Sequence, residues 1–81
     1  MWFIYIVQCQ DKSLYTGITN NLEKRINAHN NKRGAKAVKG KLPVKLVYQE
    51  RYNKKEIALS RESEIKSLKR EAKLKLIAKG P

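Results

Sequence analysis

The sequence predicts an α+β fold on three observations. Residues 3–7 (Phe-Ile-Tyr-Ile-Val) and 14–18 (Leu-Tyr-Thr-Gly-Ile) are rich in aromatic and β-branched side chains and flank the polar break Gln10-Asp11-Lys12-Ser13. Residues 44–50 alternate apolar and polar, as a strand with one wet face does. The stretches after the hairpin and after residue 50 carry apolar residues at helical spacing behind capping signals.

The elements follow in order. The two first runs read as a strand–turn–strand hairpin that sets Tyr5 and Tyr15 ten residues apart. A helix opens with Asn20 as N-cap and Glu23 three residues on, in the capping-box pattern. Leu22, Ile26 and His29 recur on one face of it, Arg25 lies near them, and Asn30-Asn31 closes it. Residues 32–41 lose periodicity and carry Lys32, Arg33, Lys36, Lys39 and Lys41 among glycines and small residues, which reads as a mobile basic loop with a turn of helix around residues 35–38. That loop is a solvated connector or a phosphate-contacting arm, and its charge density favours the arm. Pro43 precedes the third strand, in which Val44, Leu46 and Tyr48 are expected to face inward. Asn53 followed by Glu56 marks a second helix through Ala58, Ile65 and Leu68, and residues 69–79 form a further helical stretch before Gly80-Pro81. Whether the chain breaks at Leu68-Lys69 is left open.

With 81 residues, the chain is read as one domain over 1–81 with a thin core. Lys and Arg number 19 against 7 Asp and Glu, a net charge of +12. Such a field attracts polyanions, nucleic acid first among them. An acidic membrane surface is a poorer match, because no helix opposes its lysines with a broad aromatic-rich face. Cys9 stands alone, which excludes a disulfide framework and a cysteine-built zinc site and fits a reducing, cytoplasmic setting. The N-terminal apolar run is too short to span a membrane.

Among the seven acids, Glu23 and Glu56 are accounted for by caps and Asp11 by its loop. Glu62 lies one turn after Ala58 and three residues before Ile65, at the margin of an apolar stripe, where a carboxylate needs a partner or a cation. A lysine salt bridge and a functional role are evenly matched there. Arg61 falls nearer the middle of the same stripe, and the sequence offers no account of it.

These residues fall into a pattern. Phe3-Ile4-Tyr5, Tyr15-Thr16-Gly17, Arg25, and Ala58 with Glu62 one turn later resemble the signature of the GIY-YIG nuclease domain family, with Gly-Ile-Tyr and Tyr-Ile-Gly in the first two places. Residues 14–20, 34–36 and 43–47 are similar to its small free-standing bacterial (YhbQ-like) branch. The resemblance spans nearly the whole chain. It implies a small three-stranded antiparallel sheet with helices packed on it, and metal-dependent cleavage of a nucleic-acid phosphodiester bond, DNA foremost. It also implies roles: Glu62 holding the divalent metal, Mg2+ or Mn2+; Arg25 on the scissile phosphate; Tyr5 and Tyr15 positioning or activating water; His29 at a further site position.

Elementary chemistry is compatible with those roles. Magnesium often takes one or two carboxylates, waters and substrate phosphate oxygens. An arginine fork matches a phosphate. A phenol of pKa near 10 is a poor base unaided, whereas an imidazole near 6.5 is better poised, so the base is left open among His29, Tyr15 and Tyr5. Two family residues are missing: Ile18 stands where other branches have Lys, and no Asn occurs near Leu74. These departures motivate a rival expectation, a non-catalytic nucleic-acid-binding module on the same scaffold.

Overall fold

The computed structural model describes residues 1–80; Pro81, the last residue of the expected 1–81 span, lies outside the described residues. Strands β1 (Trp2–Gln8), β2 (Leu14–Thr19) and β3 (Lys45–Tyr52) and helices α1 (Leu22–Asn30), α2 (Lys36–Lys39), α3 (Lys55–Lys66) and α4 (Arg70–Lys79) run in the order β1 β2 α1 α2 β3 α3 α4. The strands form one antiparallel sheet of order β2-β1-β3. The architecture is the expected α+β one.

β1 is central because it is apolar on both faces. Ile4, Tyr5, Ile6 and Val7 are all fully buried in succession, the pattern of a strand covered on two sides. Ile4 and Ile6 pack with Tyr48, Ala58 and Ile65, joined by Leu76 and Ile77, so α3 and α4 cover that face. Tyr5 and Val7 pack with Val38 and Val44, joined by Leu22 and Ile26, so α1 and α2 cover the other. Fully burying an aliphatic side chain is worth roughly 1.5–3 kcal/mol relative to exposure. In so thin a core a few such residues carry the fold.

The structure revises several boundaries. The N-cap of α1 is Asn21, not Asn20: the Asn21 side chain accepts from the Lys24 backbone N–H at 3.0 Å. The Thr19 hydroxyl fixes this choice, accepting from Asn21 N at 3.1 Å. At α3 the cap position is Lys54, with no side-chain cap bond, so Asn53 lies one residue outside it. Leu46 is 36 % exposed and not inward, because β1 and β3 shift register between Ile6 and Val7. One extra residue there breaks the alternation, and Val47 packs toward the α3–α4 side instead. α3 ends at Ser67, whose hydroxyl donates to the Glu64 carbonyl at 2.7 Å, and extended Lys69 separates it from α4, so the chain does break there.

The basic stretch is pinned, not loose. Val38 on α2 is fully buried beneath the sheet. Gln10 N donates to the Lys41 carbonyl at 2.8 Å, and the Asn30 amide closes on both backbone groups of Val44, at 2.8 and 3.2 Å. An apolar residue within a charged run is the feature that anchors it.

Candidate active site

Register decides which side chains meet. Tyr5 pairs with Gly17 and Val7 with Tyr15, so Tyr5 and Tyr15 stand diagonally on one face of the sheet. The Tyr5 ring lies across Gly17: a Cβ built there would stand 2.5 Å from Tyr5 Cζ. Glycine is needed for space, since any side chain would lift the ring. Helix α1 crosses the same face and presents Arg25 and His29, one turn apart. The rings of Tyr5, Tyr15 and His29 form a triangle with centroids 6.4, 5.9 and 5.6 Å apart.

The hydroxyl of Tyr5 is the centre of this group. Arg25 Nε donates to it at 3.3 Å, and His29 Nε2 lies 2.9 Å away. The other ring nitrogen, Nδ1, accepts from the Ala35 backbone N–H at 3.4 Å. A backbone N–H only donates, so the neutral imidazole carries its proton on Nε2 and donates to Tyr5 Oη. That oxygen therefore accepts twice, leaving its own hydrogen free to point elsewhere. Gly34 backs the imidazole so closely that a Cβ there would come within 2.8 Å of His29 Cα.

Electrostatics follow from burial. Burial pushes the Tyr5 phenol up, outweighing the Arg25 guanidinium that draws it down, and the nearby Glu62 carboxylate adds a smaller upward push. Burial, together with the Arg25 cation, pushes the His29 imidazole below its ordinary value. His29 is thus held neutral, with no exposed surface and both nitrogens engaged.

Glu62 lies on α3, the helix that packs against β2. Its side chain is only 14 % exposed and pairs with the Lys66 ammonium at 3.4 Å, one turn on. It does not point into open water, and its charge is felt at Tyr5. Among the described residues no group of three or more His, Cys, Asp or Glu gathers to hold a metal. The one carboxylate, Glu62, is the kind of oxygen donor that suits a hard divalent cation that keeps most of its waters.

A second polar cluster, on the opposite face, escaped the sequence. Glu50 and Arg61 form a bidentate pair, Nε to Oε1 at 2.9 Å and Nη2 to Oε2 at 3.0 Å. Tyr52 Oη donates to Oε1 at 2.5 Å and Tyr48 Oη to Oε2. Tyr48 and Tyr52, expected as packing residues, therefore also satisfy a carboxylate. Burial pushes Tyr48 up to about 12, with Glu50 beside it adding to the shift. The cluster bolts α3 to β3 and so fixes the rotation of the helix whose next residue is Glu62. A signal was present: Glu50 sits two residues after the inward Tyr48, on the same face of its strand.

The basic residues expected to bind nucleic acid lie on the segment that follows α1, whose Gly34 and Ala35 abut His29. Lys32, Arg33, Lys36 and Lys39 are exposed. Lys41 pairs with Asp11 at 3.6 Å and closes the base of the hairpin loop. Of the five, Arg33 flanks α1, its backbone N–H bonded to the Ala28 carbonyl at 2.8 Å.

Comparison with known proteins places this arrangement in a family. Residues 1–75 match the GIY-YIG catalytic domain. A UPF0213 protein of Clostridium perfringens is 59 % identical over 78 residues, covering 96 % of this chain and 84 % of that protein. One from Staphylococcus saprophyticus is 56 % identical, covering 96 % and 95 %. The solution NMR structure of a UPF0213 protein from Bacillus halodurans superposes with a TM-score of 0.63 at 38 % identity, over 96 % of this chain and 84 % of that one. Domains of the matched family are in general endonucleases that use divalent metals and act on nucleic acid. The chain belongs to the GIY-YIG catalytic domain family, with the small UPF0213 proteins as its relatives.

Proposed function

We propose that this chain, acting as one domain over residues 1–81 in the cytoplasm, hydrolyses phosphodiester bonds in DNA or structured nucleic acid with Mg2+ or Mn2+. The observation that carries the reading is the Tyr5 hydroxyl, gripped by Arg25 and His29 above Gly17 and within reach of the Glu62 charge. Glu62 would hold the cation, which supplies positive charge to neutralise the phosphate and draw down the Tyr5 phenol. Arg25 donates from Nε to Tyr5, and its guanidinium would meet the non-bridging oxygens of the scissile phosphate. Tyr5, ionised, removes a proton from the attacking water as its oxygen bonds to phosphorus; the opposite P–O bond breaks and the leaving oxygen takes a proton from solvent. His29 holds the phenolate by donating from Nε2 and is a positioning residue, while Tyr15 packs against both rings and borders the site. The single free cysteine is buried, and no helix among the described residues is long and apolar enough to cross a membrane.

The experiment is a panel of forks, flaps, nicked duplexes and RNA, each with and without Mg2+ or Mn2+. Wild type yields product only with metal, and Glu62→Ala and Arg25→Ala lose it. Turnover by Glu62→Ala equal to wild type overturns the mechanism. A second reading rests on the Lys66 ammonium beside Glu62, which already neutralises that carboxylate. A non-catalytic binder would hold these substrates without metal, release them steeply with salt, and never cut.

A further inference from the structure

β3 is the longer of the two edge strands, eight residues without a proline. It bonds to β1 on one side, and among the described residues no other backbone group of the chain bonds to its outer side. An edge of that kind is a template for another strand. Lys45 and the register shift beside Val47 blunt it at one end only; from Tyr48 to Tyr52 the pairing with β1 is regular. Three shallow hollows follow one another along this edge, lined by residues 46–49, by Phe3 with residues 49–51, and by residues 51–54 with Met1 and Ile57. Three of the five exposed large apolar side chains among the described residues lie here: Leu46 at one end, and Met1 and Ile57, 58 % and 52 % exposed, at the other. Lys45, Arg51 and Lys54 stand exposed beside and between them. The one acid lining the hollows, Glu50, has both carboxylate oxygens engaged by Arg61, Tyr48 and Tyr52. None of Tyr5, Tyr15, Arg25, His29 and Glu62 enters this surface.

We propose that β3 accepts an extended, acidic segment of a partner protein as a fourth strand, with an apolar side chain near each end of that segment. Alternating N–H and C=O groups at strand spacing are matched by another polypeptide and not by a phosphate backbone, and exposed leucine, methionine and isoleucine gain nothing from phosphates. Lys45, Arg51 and Lys54 select acids between the apolar anchors and reject a basic segment. From Leu46 to Tyr52 the strand runs about 20 Å, which sets the separation of the two anchors at about six residues. A second copy of this chain is a poor occupant, because it brings the same cations and a net charge of +12 to the contact.

The test is the binding of a fluorescent peptide, Leu-Glu-Val-Glu-Val-Glu-Leu, to the full chain, read by polarisation with metal chelated. The comparison probes are the same peptide with Lys in place of Glu, the acidic peptide with every backbone nitrogen methylated, and a DNA duplex. The variants are Arg51→Glu with Lys54→Glu and, separately, Ile57→Ser, each checked for folding by circular dichroism. The wild type should bind the acidic peptide at least about tenfold more tightly than either altered peptide, and each variant should weaken that binding about tenfold. Amide hydrogen exchange along β3 should slow when the acidic peptide is bound. Failure of the wild type to bind the acidic peptide, equal binding of its methylated form, or undiminished binding by the charge-reversed variant overturns the proposal. A loss of duplex binding in the charge-reversed variant as large as its loss of peptide binding assigns the surface to nucleic acid and overturns it too.

Discussion

Glu50→Gln keeps the shape of the side chain and removes the charge that Arg61, Tyr48 and Tyr52 surround, so its cost should depend on pH. Burial alone would raise this carboxyl; the hydrogen bonds from Arg61, Tyr48 and Tyr52 outweigh it and hold the group at about 2, against an ordinary 4.5. At about 1.4 kcal/mol for each tenfold, ionised Glu50 contributes about 3 kcal/mol at neutral pH. The folded value lies below the unfolded one, so the unfolded chain takes up the proton first. The contribution is therefore full above pH 4.5 and shrinks as pH falls toward 2, to about 1 kcal/mol at pH 3. The variant should be less stable than wild type by about 3 kcal/mol at pH 7, a Tm gap of about 12–24 °C for a chain of this size. Urea unfolding of both proteins at pH 7 and pH 3 reads the difference directly. A gap that is the same at both pH values refutes the account of this cluster.

Other outcomes follow from the same geometry. Gly17→Ala should leave the protein folded but lift the Tyr5 ring, and single-turnover cutting should slow by about 100-fold with nucleic-acid affinity unchanged. Asn21→Ala should cost about 1 kcal/mol and Asn20→Ala almost nothing, since only Asn21 caps α1; thermal melts of the two variants decide it. His29 is the sole histidine, and burial depresses it, so the unfolded chain protonates first and stability should fall as pH drops below about 6.5. Melts at pH 7 and 5.5 should show that decline in wild type and a much smaller one in His29→Gln.

The strands and the helices were legible because they follow from local composition and spacing, whereas the grouping of Tyr5, Tyr15, Arg25 and His29 was expected only from the resemblance to the GIY-YIG family. Register was not legible: that Tyr5 faces Gly17, and not a side chain, depends on how two distant runs align. The β3 bulge that turns Leu46 outward depends on β1, and nothing within residues 44–50 encodes it. Consecutive asparagines made the α1 cap ambiguous, and the Thr19 hydroxyl, outside the capping-box pattern, resolved it. The basic run read as loose because its charge concealed one buried valine. Arg61 had no account because its partner Glu50 lies on another element, although the alternation of Tyr48, Glu50 and Tyr52 along β3 already placed an acid on the buried face.

The most direct measurement is the single-turnover cleavage rate of Tyr5→Phe with Mg2+ or Mn2+ on whichever substrate the wild type cuts. The change removes one oxygen and leaves the ring over Gly17, so folding and nucleic-acid affinity should be preserved. The rate should fall by about 100-fold or more, the usual contribution of a positioned base. A Tyr5→Phe protein that cuts as fast as wild type contradicts the account.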